Sequence, residues 1–369
     1  MSDISKPTGS YLPSLDGLRA VSIIIVALKH AFPALPMASG FGVTIFFCIS
    51  GYLITTLLYR ELAKSGRIDF AGFYKRRVLR LAPPLVITMI LGATLLLFGK
   101  LSGTLDPMIM LSQLFFFYNY YGYGSPSLSI EGLQLLWSLA VEEHFYLVFP
   151  FLLLVSVRRK WRADWLVWLS LAILGWRIVK FSALGYMDWQ IYAYTDTRVD
   201  SMLWGCFLAA VIEHSDTATL QRIDKHRTAL LIIGFAMLGI SFVVRDPLFR
   251  STLVYTLRGV GMLPIFFFAV LRPSMLLFRP LNWAWVRKIG LYSYTIYLAH
   301  VVLLSLIWEN VPQLGTLASG SIGLLLSGLY AAAMFNWIEK PIKAHRERMN
   351  SAKKSSGAKV ADPENVRVA

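Results

Sequence analysis

Apolar residues fall along the chain in long runs parted by short polar stretches. The runs predict helices at about residues 15–32, 41–59, 84–99, 134–157, 165–182, 198–213, 228–244, 252–271, 289–308 and 318–338. Each run approaches the roughly 20 mostly apolar residues that cross a hydrocarbon core. The expected fold class is therefore all-α, a polytopic membrane protein of about ten transmembrane helices. Met108–Tyr118 is a further apolar run, but its 11 residues suit a re-entrant or interfacial piece better than a span. Residues 1–14 read as a cytoplasmic N-terminal segment, 15–345 as one transmembrane domain, and 346–369 as a flexible cytoplasmic tail. No internal repeat and no soluble second domain is expected. The first 14 residues are polar and no small-residue cleavage pattern follows, so a cleavable signal peptide is not expected.

Composition supports the membrane class. Of the 369 residues, 56% are hydrophobic and 15% charged, against roughly 25% charged in ordinary soluble domains. The formal charge of +15, from 36 basic and 21 acidic residues, would suggest nucleic acid in a soluble protein. Here the basic residues cluster between apolar runs, which the positive-inside rule explains without a nucleic-acid partner. Segment 59–80 holds Arg60, Lys64, Arg67, Lys75, Arg76, Arg77 and Arg80 with two acids, and "RRKWRAD" (158–164) holds four basic residues. Arg272, Arg279, Arg287 and Lys288 lie in 272–288, and Lys340, Lys343, Arg346 and Arg348 follow Trp337. Ten spans with both termini cytoplasmic put all four segments on one side, whereas a full span at 108–118 would move three of them outside. Arg245 and Arg250, in the outer loop 245–251, depart from the pattern. Cys48 and Cys206 lie inside apolar runs, so free core thiols are expected rather than a disulfide framework. The aromatic stretch "FFFYNYYGYG" (115–124) reads either as an interfacial belt or as a sugar-stacking surface.

Ionisable residues inside spans mark candidate functional sites, because lipid does not solvate charge. The chain has Asp16, Arg19, His30, Glu142, Glu143, His144, Arg177, Lys180, Arg198, Asp200, Arg258, His300 and Glu339 in or beside its apolar runs. Arg177 and Lys180 lie near a helix end and are assigned to snorkelling. In "LDGLRAVSIIIVALKHA" (15–31), Arg19 and His30 are 11 positions apart. Eleven steps of about 100° make three turns plus roughly 20°, so both side chains share one face, roughly 16 Å apart along the axis. Asp16 precedes Arg19 by one turn on the same stripe and can pair with it. The stripe reads as a polar path or as a structural ion pair plus a satisfied histidine. Lys29 is expected to snorkel at the outer surface. Glu142 and Glu143 point about 100° apart, so one of them can orient His30 and the other can pair with an arginine; Glu142 is taken as the inward member. In "FYKRRVLR" (73–80), Arg77 and Arg80 share a helix face. Two guanidinium groups on one face suit a phosphate-rich ligand, and they equally suit plain anchoring at the membrane surface.

In order along the chain, these pieces resemble acyltransferase family 3, the multi-pass bacterial O-acyltransferases of cell-envelope sugars and related acceptors. The resemblance covers about residues 11–345. "YLPSLDGLRAVSIIIVALKH" looks like the family's opening signature, with Arg19 and His30 in its arginine and histidine positions. "GVTIFFCISGYLITTLL" (42–58) resembles its second helix, and "FYKRRVLRLAPPL" (73–85) resembles its R-x-x-R segment. "LWSLAVEEHFYLVFP" resembles its W-S-L-x-x-E core, although His144 stands where glutamine is usual. "DTRVDSMLWG" (196–205), "YSYTIYLAH" (292–300) and "WIEKPIK" (337–343) resemble later blocks.

The resemblance implies an O-acyltransferase of the inner cell membrane. It would use cytoplasmic acyl-CoA, often acetyl-CoA, and a hydroxyl of a cell-envelope or secreted glycan or glycolipid toward the outer side. Arg77 and Arg80 would then hold donor phosphates, Arg19 would line the donor path, and Asp16 would orient Arg19. His30 would act as general base, or carry the acyl group briefly. No metal is called for, since the histidines are scattered without a close-spaced ligand motif. Many members carry a fused SGNH-type esterase domain. None is expected here, with about 25 residues after the last span, so either direct acylation or a separate periplasmic acyl-accepting protein follows. The family spans O-antigen, exopolysaccharide, peptidoglycan, glycolipid and small glycosylated acceptors, which leaves the acceptor and the acyl length open.

A transporter or flippase of a polysaccharide precursor is the alternative from another class. It would be expected to repeat its broken helices in two halves, and the Arg19/His30 pattern has no second copy. A polyprenyl-phosphate-linked glycosyltransferase would be expected to carry acidic metal-binding clusters in a sizeable loop.

Overall fold

The computed structural model describes residue 6 and residues 12–344. The expected tail, 346–369, and most of the N-terminal segment lie outside the described residues. Within them the chain is helical and has no strand. The order is α1 (Pro13–Ala31), α2 (Ser39–Ser65), α3 (Phe70–Leu97), the short α4 (Pro107–Leu114) and α5 (Tyr118–Tyr121), α6 (Trp137–Arg158) and α7 (Asp164–Ser182). It continues through the short α8 (Asp188–Ala193) and α9 (Thr195–Arg198) to α10 (Asp200–His214), α11 (Thr217–Lys225) and α12 (Arg227–Val243). The last three are α13 (Val254–Leu271), α14 (Ala284–Asn310) and α15 (Gly315–Met334).

Every predicted run is helical, but not every helix meets a strict test for a span. Among the described residues seven helices are long and apolar enough to cross a membrane, and α11 with α12, bent by 68°, makes an eighth. Helix α1 is interrupted by Asp16, Arg19 and Lys29, and α10 has only 15 residues. The run at 108–118 becomes the eight-residue α4, which Asp106 caps by accepting from the Ile109 amide at 2.8 Å.

Helix α3 differs most from expectation. It begins at Phe70, about 14 residues before the predicted run, and passes through Pro83 and Pro84. Asp69 starts it by accepting from the Gly72 amide at 2.9 Å. Two prolines weaken a helix interior by removing N–H donors. Side-chain donors brace the helix around them: the Tyr294 hydroxyl on α14 donates to the Leu81 carbonyl at 2.9 Å, and Thr88 Oγ1 donates to Pro84 O at 2.8 Å. Arg77 and Arg80 therefore sit on one continuous helix rather than in a loop.

The interior of the bundle is α1, α2, α10 and α14, packed in the pairs α2 with α10 and α1 with α14. In its most apolar window α2 is 78% buried, against 22% for α7, which marks α2 as central and α7 as peripheral. The central pairs approach closely because glycine stands at the crossings. A Cβ on Gly51 would lie 2.0 Å from Met202 O, and one on Gly205 would lie 2.0 Å from Cys48 O. Small residues at crossings are how apolar helices associate where lipid is as oily as leucine. Outward faces carry large exposed apolar residues such as Leu97, Val243 and Leu325, as a lipid-facing surface requires.

Snorkelling is corrected for Arg177 and Lys180. Both the Arg177 and the Asp200 side chains are 0% exposed, with Arg177 Nη2 2.6 Å from Asp200 Oδ2. Arg177 Nη1 also donates to Thr252 O at 2.7 Å, and Thr256 Oγ1 donates to Asp200 at 2.8 Å. Lys180 lies 2.7 Å from Asp196 among the rings of Trp176, Tyr186 and Tyr194. Both cations turn inward because the acids of α9 and α10 neutralise them there. Lys29 does not simply snorkel either: its Nζ donates to Pro33 O at 2.6 Å and Leu35 O at 2.9 Å, folding the chain back over the end of α1.

Asp200→Ala would leave Arg177 buried without its acid and should cost about 3–5 kcal/mol. Gly290→Ala would place a Cβ 1.8 Å from Asp16 O and should cost about 1–3 kcal/mol by forcing α1 and α14 apart. Thermal unfolding of the detergent-purified protein reads both, with lowered midpoints expected.

Candidate functional site

A cavity of about 590 Å³ opens between α2, α3, α6 and α14. Arg19 enters it from α1, Ser50 from α2, Arg77 and Arg80 from α3, Glu142 and Tyr146 from α6, and Tyr297 from α14. Six lining residues are basic and two are acidic. Besides the three arginines singled out from sequence, Arg60, Lys64 and Arg76 line its mouth. Sequence spacing does not reveal those three, because they come from two helices that meet only across the 66–69 turn. The wall between mouth and far end is apolar, with Phe47, Ile54, Leu57 and Leu139 among its residues.

The mouth cations are not equivalent. Arg60 pairs with Glu213 at 3.1 Å, and Arg76 lies 3.9 Å from Glu61 and 4.0 Å from Asp69. Arg77 Nε is 3.8 Å from Glu143, and its guanidinium carbon sits 3.0 Å from the centroid of the Tyr146 ring. Such stacking holds a guanidinium planar and aimed. Arg80 is exposed and has no ion-pair partner among the described residues.

Deeper in, Arg19 and Asp16 form the expected i, i+3 contact at 3.5 Å. Glu142 lines the cavity and accepts hydrogen bonds from Ser50 Oγ at 2.5 Å and from the Tyr146 hydroxyl. Glu142 and Arg77 thus grip the same tyrosine, one through its hydroxyl and the other through its face.

Glu142 makes no hydrogen bond to His30 among the described residues, so the expected carboxylate partner of that histidine is replaced. Helix geometry explains why. Ser138 on α6 shares a 2.6 Å hydrogen bond with Tyr297 on α14. From that level the two antiparallel helices diverge: Glu142 lies one turn toward the mouth and His300 nearly one turn away from it, about 10 Å apart along the axis. His300 is fully buried, and its Nε2 lies 3.0 Å from His30 Nδ1.

The cavity therefore gathers Arg19, Arg77, Arg80 and Glu142, with Asp16 behind Arg19. His30 lies outside it, reached through the rings of Tyr297 and His300. Tyr297 lines the cavity, and its ring centroid is 5.8 Å from that of His300, which is 5.1 Å from that of His30. Phe46, also in the lining, has its ring centroid 6.1 Å from that of Tyr297. Among the described residues no group of three His, Cys, Asp or Glu is placed to hold a metal ion.

A family model described as an acyltransferase domain matches residues 12–337. The chain is 33% identical over 353 residues to "O-acetyltransferase OatA" of Staphylococcus aureus (strain NCTC 8325 / PS 47), covering 90% of this chain and 57% of that protein. It is 31% identical over 359 residues to "Putative peptidoglycan O-acetyltransferase YrhL" of Bacillus subtilis (strain 168), covering 90% of this chain and 55% of that protein. The chain thus spans little more than half the length of these curated relatives. No solved structure matches it.

Proposed function

The chain belongs to acyltransferase family 3, and we propose that it transfers an acetyl group from cytoplasmic acetyl-CoA to a hydroxyl of a cell-envelope glycan. The observation that carries this reading is the cavity itself, cationic at the mouth and apolar beyond. An acyl-CoA is likewise two-part, polyphosphate at one end and a neutral thioester arm at the other. The names of the two relatives support an O-acetyl product and, through the second, peptidoglycan as the acceptor class.

In this reading ten spans leave both termini and the cavity mouth on the cytoplasmic side of the inner membrane, as the basic segments favour. Arg77 and Arg80 hold the donor phosphates. Arg80 is an exposed cation with no ion-pair partner among the described residues, and Arg77 is aimed by Tyr146. Glu142 keeps Tyr146 in place under Arg77, rather than serving His30. Arg19, oriented by Asp16, lines the path of the arm toward Tyr297.

His30 then acts on the far side as general base. Its ring takes the proton of the acceptor hydroxyl as that oxygen attacks the thioester carbonyl. The new C–O bond forms, the C–S bond breaks, and the proton passes to the departing thiolate, giving the O-acetyl ester and CoA. For the thioester to meet the acceptor there, the wall of Tyr297 and Phe46 must yield to the arm. A periplasmic acyl-accepting partner remains a second destination for the acyl group in this scheme.

His30→Ala should lower transfer by about 10²–10⁴-fold while the protein inserts and purifies as wild type; near wild-type turnover would remove the proposed base. Arg77→Ala and Arg80→Ala should each weaken acetyl-CoA binding by about tenfold, as loss of a charged hydrogen bond does. Calorimetry in detergent measures this, and unchanged affinity in both would return the two arginines to membrane anchoring. Mass spectrometry of envelope glycans from cells with and without the protein should show one acetyl mass lost.

A further inference from the structure

The two histidines that face each other across α1 and α14 form a pair whose hydrogen bonding can be worked out atom by atom. His300 Nδ1 lies 3.0 Å from Ile296 O and 2.9 Å from Tyr297 O. Carbonyl oxygens only accept, so Nδ1 of His300 must carry a hydrogen. In a neutral imidazole the other nitrogen is then the lone pair. That nitrogen, Nε2, lies 3.0 Å from His30 Nδ1. His30 must therefore donate from Nδ1, and its own Nε2 keeps a lone pair. The opposite assignment needs a doubly protonated His300. His300 is fully buried and forms no ion pair with a carboxylate among the described residues, and a lone buried cation is costly.

We propose that His300 is a positioning residue that locks His30 in the Nδ1–H tautomer and so makes Nε2 of His30 the atom that takes the acceptor's proton. The proposal rests on the reading of His30 as the base. Three further features fit it. His30 is only half buried, whereas His300 is fully enclosed. Nε2 of His30 has no hydrogen-bond partner among the described residues, so its lone pair is available. Lys29, the neighbouring cation, is drawn off to the carbonyls of Pro33 and Leu35. A neutral acceptor has a second use. When Nε2 gains the proton, the Nδ1–H bond to His300 remains in place and strengthens, so the imidazolium keeps its orientation through the reaction. Because Nδ1 of His300 is held by the preceding turn of its own helix, the lock is referenced to the backbone of α14 rather than to a mobile side chain.

The decisive measurement uses the wild-type protein in detergent, labelled with ¹⁵N-histidine and assigned by difference from His30→Ala. His30 is expected in the Nδ1–H form, the less common tautomer of free imidazole in water. An Nε2–H form overturns the proposal whether or not the His300 variants fold. In kinetics, His300→Leu should lower kcat about 10- to 100-fold, less than loss of the base itself, with little change in KM for acetyl-CoA. His300→Gln, whose amide oxygen can stand in for Nε2 as acceptor, should recover much of the rate. Wild-type kcat in His300→Leu, or a Gln variant no better than Leu, overturns the proposal. The underlying reading fails separately: wild-type turnover in His30→Ala removes the base, whatever the tautomer.

Discussion

A charge placed inside a membrane bundle finds no water, so its partner must come from the protein. Most of the arrangement follows from that constraint. Arg177 turns away from the surface to meet Asp200, and Lys180 does the same for Asp196. Arg198, fully buried, lies with its guanidinium carbon 3.9 Å from the Tyr255 ring centroid, near the same Asp200. These contacts tie α7, α9, α10 and α13 together. Replacing such pairs by apolar residues is often neutral for stability, so their worth here lies in fixing which helices meet.

The cavity is where the constraint is relaxed. Basic residues outnumber acids along its lining, and Arg80 at the mouth forms no ion pair among the described residues. An unneutralised cationic mouth is stable only where water or an anionic ligand reaches it. In the proposed function the donor's phosphates fill that place. Beyond the mouth the lining turns apolar, and charge reappears only in groups that hold one another: Arg19 with Asp16, and Glu142 with Ser50 and Tyr146. Tyr297, in the lining, borders His300 of the histidine pair.

Glycine crossings make the precision of these contacts possible. Gly290 brings the backbone of α14 against Asp16 O on α1. Over this close-packed pair, Asp16 stays beside Arg19 at one end and His30 beside His300 toward the other. The same helix anchors α3 through the Tyr294–Leu81 hydrogen bond, at the point where two prolines remove backbone donors. Helix α14 therefore sets the position of three groups in the proposed site without supplying the base.

Much of this was legible in the chain itself. Apolar runs marked the helices because only a helix satisfies its own backbone in lipid. A spacing of 11 put Arg19 and His30 on one stripe, and a spacing of three did the same for Arg77 and Arg80, because those relations are internal to one helix. Relations between helices were not legible. Spacing could not say that Glu142 meets Ser50 and Tyr146 rather than His30, that His300 stands opposite His30, or that Arg60, Lys64 and Arg76 share a mouth with Arg77. It also misread Arg177 and Lys180 as snorkelling, since nothing near them in sequence announces Asp200 or Asp196. The sequence alone determined what each helix carries and on which face. Only the packing, set by where glycine lets backbones touch, decided which faces meet and hence which charges are paired, which ring orients which, and where a cation is left for a ligand.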